Sequence, residues 1–252
     1  MTESHPRKGS VALVGGGPGD PDLLTVKAVR LLAAADAIVH DHLVSDEVLG
    51  LCRADAERIY VGKQSGKHTL QQEAINALLI KLAQEGKQVV RLKGGDPYIF
   101  GRGGEEAQAL YAAGVAFEVV PGITAACGAG AYAGIPLTHR DHAQSVVFVT
   151  GHLRDDSCDL DWLALTRPQQ TVVIYMGVLA LPDISRQLIA HGMPPDTPAA
   201  CIRRATHADQ RSVISTIAEL PAAVIAASLR PPALLIIGSV VALREQLDWF
   251  EH

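Results

Sequence analysis

A short run of β-branched residues that stops at a glycine turn and gives way to a helical pattern recurs along this chain. That rhythm limits the fold more than any other feature. Residues 11–14 run into GGGPGDPD, 89–92 into KGGDP and 117–120 into PGIT. Further on, 146–149 runs into TGH, 172–175 into MG and 234–237 into GS. Between these runs, 23–35, 70–84, 105–113 and 182–191 carry apolar residues at helical spacing. Thr69, with Gln72 three residues on, is a candidate cap for the second of them, which stops before Gly86. Strand, glycine turn and helix in alternation predict an α/β fold with largely parallel sheets.

A boundary is expected within 120–145, where PGITAACGAGAYAGIPLTHRDHAQ is rich in small residues and separates two strand–helix series of similar length. The chain of 252 residues therefore reads as two α/β lobes, 1–120 and 121–252, with a ligand cleft between them. In the second lobe, 199–202 and 211–217 flank the polar stretch RRATHADQ and suggest a hairpin or mixed-sheet element. Apolar residues at 48% and charged residues at 19% exclude bulk disorder, and aromatics at 4% leave the core to Ala, Val, Ile and Leu. A net charge of −5 argues against a nucleic-acid partner. Cys52, Cys127, Cys158 and Cys201 lack C-x-x-C spacing and read as buried residues or free thiols. The polar start and the lack of a long apolar run predict a soluble, cytoplasmic protein away from membranes.

The first glycine loop fails as a dinucleotide fingerprint. With Gly15 and Gly17 as the first two glycines of G-x-G-x-x-G, the third position holds Asp20, and Pro18 removes a donor a pyrophosphate would want. No Gly-Lys pair completes a P-loop either. The second loop, KGGDPYIFGRGGEE from Lys93, sets two glycines and Asp96 at a strand's C-terminal end, where open α/β sheets bind ligands. Asp96 would accept from an ammonium or hydroxyl, or would simply cap a tight turn. Thr124, in the third loop, would cap a helix or touch a ligand. Three such loops on one sheet edge suit a polar small molecule. His139 and His142 have i,i+3 spacing but no convincing third ligand, so no metal is expected.

The segments VGGGPGDPDLLT, IVHDHLVS, VGKQSGKHTLQQEAIN, RLKGGDPYIFGRGGEE, VPGITAACGAGAYAGIPLTHRD, VTGHL and VIYMG, in this order from about Val11 to Phe250, resemble the tetrapyrrole methylase family. Within it they most resemble the uroporphyrinogen-III C-methyltransferase group, of the stand-alone type. The resemblance implies S-adenosyl-L-methionine as methyl donor, S-adenosyl-L-homocysteine as its product, and methylation of uroporphyrinogen III at C2 and C7 to give precorrin-2. It also implies a homodimer. Two alternatives are another precorrin methyltransferase and a non-catalytic S-adenosylmethionine-binding module.

Carried over from the family, the cofactor positions are Pro18, Gly94, Gly95, Asp96, Ile99, Thr124, Ala125, Met176 and Ala205. Ala205 departs from the glycine often found there, which matters only if the position needs φ > 0. The resemblance offers Asp41 as proton acceptor and Lys63 as proton donor; a structural ion pair or two solvated loop charges are the alternatives. Arg102 is the leading cation for a substrate carboxylate, because its planar fork donates two parallel hydrogen bonds. The competing reading pairs Arg102 with Glu105 or Glu106. Lys67, Arg140, Arg203 and Arg204 are weaker candidates, the last two reading first as a solvated hairpin.

Overall fold

A computed structural model describes residues 8–62, 71–151 and 160–250, arranged as two compact units, 1–124 and 125–252. The first unit runs β1 (Ser10–Gly15), α1 (Val26–Ala34), β2 (Ala37–His40), α2 (Asp46–Gly50), β3 (Glu57–Tyr60), α3 (Gln72–Gln84), β4 (Gln88–Lys93), α4 (Gly103–Ala112) and β5 (Ala116–Val120). Its sheet has the order β3-β2-β4-β1-β5, and every pairing is parallel. Parallel strands are covered on both faces, so the inner strands send apolar residues in both directions. In β4, Val90 and Leu92 enter one core with Ala28, Leu32 and Ile38, under α1 and α2. Val89 enters the other with Val11, Leu13, Ile75, Leu79 and Leu110, under α3 and α4.

Local caps set the helix starts. Thr25 accepts from the Ala28 N–H at 3.1 Å, so α1 begins after it, three residues later than the helix predicted from residue 23, and a short 3-10 helix at Pro21–Leu23 precedes it. At α3 the N-cap position holds Gln71, whose side chain makes no cap hydrogen bond; Thr69, expected there, lies outside the described residues.

The second unit runs α5 (Ala125–Tyr132), β6 (Ser145–Thr150), α6 (Trp162–Leu165), β7 (Gln170–Tyr175), α7 (Leu181–Ala190), β8 (Pro198–Arg203), β9 (Arg211–Thr216), α8 (Leu220–Ala226), β10 (Ala233–Ile237), a 3-10 helix (Ser239–Leu243) and α9 (Arg244–Leu247). The expected mixed element is present as the antiparallel β8–β9 pair, but the mixing goes further. In the order β6-β7-β10-β8-β9 only β6 and β7 are parallel, because β10 returns antiparallel between β7 and β8. Largely parallel pairing thus holds for the first sheet and not for the second. Alternation again fills two cores: Val172, Ile174, Leu235 and Cys201 face α6, α7 and α8, while Val173, Tyr175, Ile236 and Ile202 face α5.

Candidate active site

Because the first sheet is parallel, the loops after β1, β2, β4 and β5 leave from one edge. The glycines there serve contacts between loops. Gly95 N–H donates to Gly17 O at 2.6 Å, Gly17 N–H returns to Gly95 O at 3.2 Å, and Gly16 N–H donates to Lys93 O at 2.7 Å. A Cβ on Gly15 would stand 2.5 Å from Gly122 N and 2.6 Å from Gly95 O, and one on Gly94 2.7 Å from Leu43 Cβ. Three backbones therefore touch where side chains would force them apart.

Asp96 ties this contact together. Its Oδ1 accepts from the Tyr98 N–H at 2.8 Å, the tight turn given as the alternative reading, and its Oδ2 from the Gly122 N–H at 3.1 Å in the third loop. It is half-buried, and each carboxylate oxygen has a second lone pair for a cationic ligand. Tyr98, Ile99 and Phe100 follow as exposed apolar residues. Phe100 (φ 52°) and Arg102 (φ 59°) hold left-handed backbone, a conformation that costs energy in non-glycine residues and collects at functional loops. Pro18 and Thr124 are half-buried on the same loops.

Arg102 is engaged with its neighbour: Nε and Nη2 donate to the two Glu105 oxygens at 2.8 and 2.6 Å, in an exposed pair. Asp41, at the end of β2, accepts from the Leu43 N–H at 3.0 Å and from Arg91 Nη2 at 3.3 Å. Among the described residues its ion-pair partner is Arg91; Lys63 and Lys67 lie outside them. Burial is the largest influence on neighbouring His40 and lowers its pKa below the usual imidazole range.

In the second unit, Ala125 and Ala205 both pack against the core that contains Tyr175, the residue before Met176. Tyr175 Oη accepts from the Ala126 N–H at 3.0 Å, holding the start of α5 at the end of β7. Met176 is exposed with φ 55°. Positive φ falls on Arg204 (49°) and Thr206 (72°) rather than on Ala205, so alanine at 205 carries none of the strain that would call for glycine. Arg203 and Arg204 share Asp209, at 3.3 and 2.7 Å, and Asp209 is held below the usual carboxylate range chiefly by its hydrogen bond from Arg204. Both arginines thus pair with an aspartate of the β8–β9 connection. His139 and His142 stack edge to face at 5.0 Å, and no group of three or more His, Cys, Asp or Glu among the described residues could hold a metal ion. No helix of the described residues is long and apolar enough to cross a membrane.

The profile described as Tetrapyrrole (Corrin/Porphyrin) Methylases matches residues 10–221. The chain belongs to the tetrapyrrole methylase family. Curated relatives include siroheme synthases from Methylobacillus flagellatus, 62% identical over 96% of this chain, and Azotobacter vinelandii, 60% identical over 96%. The chain spans about half the length of these relatives, 52% in each case. Among solved structures, a uroporphyrin-III C-methyl transferase from Thermus thermophilus, complexed with S-adenyl homocysteine, is 41% identical with a TM-score of 0.80, covering 93% of this chain and 99% of that one. A cobalt precorrin-4 methyltransferase is 29% identical with a TM-score of 0.82, covering 92% and 95%.

Sequence reading missed one cluster in this tetrapyrrole methylase. Glu106, fully buried on α4, receives three donors on Oε1: Arg91 Nε at 3.0 Å, Lys93 Nζ at 3.2 Å and Gln72 Nε2 at 3.2 Å. Arg91 Nη1 also donates to Val39 O and Leu92 O. Burial first, and Arg91 second, push the Lys93 amine below the usual lysine range. The available signal was strand parity: Val89, Arg91 and Lys93 lie on one face of QVVRLK, so two cations had to enter the layer under α4. Gln210 was also missed; it is buried, and clips the Thr206 N–H (2.8 Å) to the carbonyl of Tyr132 (3.0 Å).

Proposed function

We propose that this chain transfers methyl groups from S-adenosylmethionine to C2 and C7 of uroporphyrinogen III, giving precorrin-2. The observation that carries this reading is the 40–42% identity, over 93–97% of the chain, to uroporphyrin-III C-methyl transferases, against 29% to the precorrin-4 enzyme. The first unit fits the donor: a half-buried carboxylate, Asp96, stands beside the exposed apolar run Tyr98–Ile99–Phe100, suiting a ligand with a cationic and an apolar part. Bound S-adenosylmethionine supplies a methyl on a sulfonium; attack by an electron-rich pyrrole carbon forms the C–C bond, leaves the C–S electron pair on sulfur as S-adenosyl-L-homocysteine, and obliges the macrocycle to shed a proton.

The residues divide that work. Asp96 balances the donor's positive charge, Gly94 and Gly95 present backbone to it, and Pro18, Ile99 and Thr124 border it. Ala125, Met176 and Ala205 contribute backbone and apolar contact from the second unit. Asp41 takes the macrocycle's proton, and Lys63 is the proton donor. Arg102 turns its fork from Glu105 to a substrate carboxylate. Alignment of donor and acceptor supplies most of the rate, with no covalent enzyme nucleophile. We place the enzyme in the cytoplasm as a homodimer. The buried thiols Cys52 and Cys201 suit a reducing compartment, and exposed Leu163, Leu179 and Ile225 offer apolar surface to a second copy.

The test is anaerobic incubation with S-adenosylmethionine and uroporphyrinogen III, with and without a chelator, read by mass. Addition of two methyl groups in both samples is expected. Binding of S-adenosylmethionine without transfer would leave a binding module, and transfer only to a later precorrin would reassign the substrate.

A further inference from the structure

We propose that Glu106 is a positioning residue for methyl transfer, which through Arg91 orients the carboxylate of Asp41 and through Lys93 anchors the loop that begins at Gly94. The inference rests on the reading of Asp41 as proton acceptor. Its ground is a cluster that stability alone does not explain. Arg91, Lys93 and Glu106 are 4%, 4% and 0% exposed, and β4, which carries both cations, is flanked by β2 and β1. Replacing such buried ions by apolar residues of similar volume is generally neutral or stabilising.

The cluster is also poorly closed on itself. Two cations and Gln72 crowd onto Oε1, while the buried Oε2 has no hydrogen-bond partner among the described residues. One carboxylate cannot neutralise two cations. The balancing charge is Asp41, 3.3 Å from Arg91 Nη2. The charges therefore cancel only when the acid–base residue is counted in. Arg91 is gripped at Nε by Glu106 and at Nη1 by two backbone carbonyls, which leaves Nη2 aimed at Asp41 Oδ2. Lys93 directly precedes Gly94, and its carbonyl receives the Gly16 N–H, so the same carboxylate steadies the junction of the first and second loops. His40 also stands at this edge, with its Nδ1 3.4 Å from the Asp41 carbonyl.

The experiment is a double-mutant cycle of Glu106→Gln with Asp41→Asn, with melting temperature, cofactor affinity and steady-state kinetics for each variant. Expected for Glu106→Gln is a kcat about tenfold or more below the parent with KM for uroporphyrinogen III within about twofold, since small misplacement near the chemistry is costly. Glu106→Asp should regain part of that kcat. In the Asp41→Asn background the same change should cost less than about twofold, because the group it positions is gone. Loss by the same factor in both backgrounds, or parent-like kcat in Glu106→Gln, overturns the proposal while leaving Asp41 its role. Parent-like turnover of Asp41→Asn overturns both. If Glu106→Gln melts below assay temperature, Arg91→Lys carries the same comparison, since it keeps the charge and loses the fork that reaches Asp41.

Discussion

Replacing Arg102 by glycine separates its two roles, because the structure makes the stability terms nearly cancel. Arg102 stands at the N-cap position of α4 with φ 59°. Left-handed backbone costs a non-glycine residue about 1–2 kcal/mol, which glycine recovers. Against that stand the greater freedom of glycine in the unfolded chain, about 0.5–1 kcal/mol, and the pair with Glu105. Both partners are more than half exposed, so that pair is worth at most about 1 kcal/mol despite its two-point geometry. The sum lies near zero, from about −1 to +1.5 kcal/mol, and at about 2–4 °C per kcal/mol for a chain of this size the melting temperature should fall by no more than about 4 °C or rise by no more than about 6 °C. Turnover should behave differently. A charge-assisted hydrogen bond to a substrate carboxylate is worth about 1.5–3 kcal/mol, so methyl transfer should fall about 10- to 150-fold. The assay pairs a thermal melt with radiolabelled methyl incorporation into uroporphyrinogen III, and calorimetry should show unchanged cofactor affinity. Arg102→Asn, which also accepts left-handed backbone, should behave alike. Parent-like turnover would remove Arg102 from the substrate site; a fall of more than about 8 °C would show that the Glu105 pair anchors α4 and refute the ledger.

Asp96→Asn retains an oxygen for one of the two backbone donors but loses the charge, so cofactor affinity measured by calorimetry should drop about tenfold or more while most stability remains. Asp96→Ala should lose both, since the N–H groups of Tyr98 and Gly122 lose their acceptor. At alkaline pH Cys201 enters: burial pushes its thiol up to about 12 from 9.0. Below pH 9 both states hold the proton; above it the unfolded chain releases it and the folded chain does not, so stability falls as pH rises, by about 1.4 kcal/mol at pH 10. Denaturant melts of Cys201→Ala should show that much less loss between pH 8 and pH 10 than the parent.

Although β2 (AIVH) runs into Asp41 and His42 and the edge strand β3 (ERIY) is partly exposed, the strands β1, β4 and β5 of the first unit were legible, because each β-branched run stops at a glycine or proline turn. The direction of β10 was not. A run such as ALLII is apolar on both faces whichever way it points, and only its antiparallel neighbours β7 and β8 show its sense. The same limit applies to Glu105 and Glu106. They are adjacent and chemically alike, yet one pairs with Arg102 in solvent and the other is buried against Arg91 and Lys93. Which one turns inward depends on the rotation of α4 over the sheet, a tertiary fact. The loop residues of the cofactor proposal could be nominated from motif resemblance, but that Asp96 fastens the second loop to the third needed coordinates.

The strand order of the first sheet has a consequence for how the chain comes off the ribosome. β1 is made first, yet its neighbours are β4 and β5, and the strand made next, β2, lies beyond β4. A nascent chain ending after β3 can pair β2 with β3 but offers β1 no edge to join. Val11 and Leu13, which end fully inside the core, must wait while about seventy residues are added, on the order of 4–15 s at about 5–20 residues per second. Emergence of β4 then supplies the missing centre of the sheet in one step, joining β1 to β2 through itself, and β5 closes the free side of β1. The first unit should therefore resist protease on stalled chains only once β4 has cleared the exit tunnel, and not gradually as the earlier elements appear.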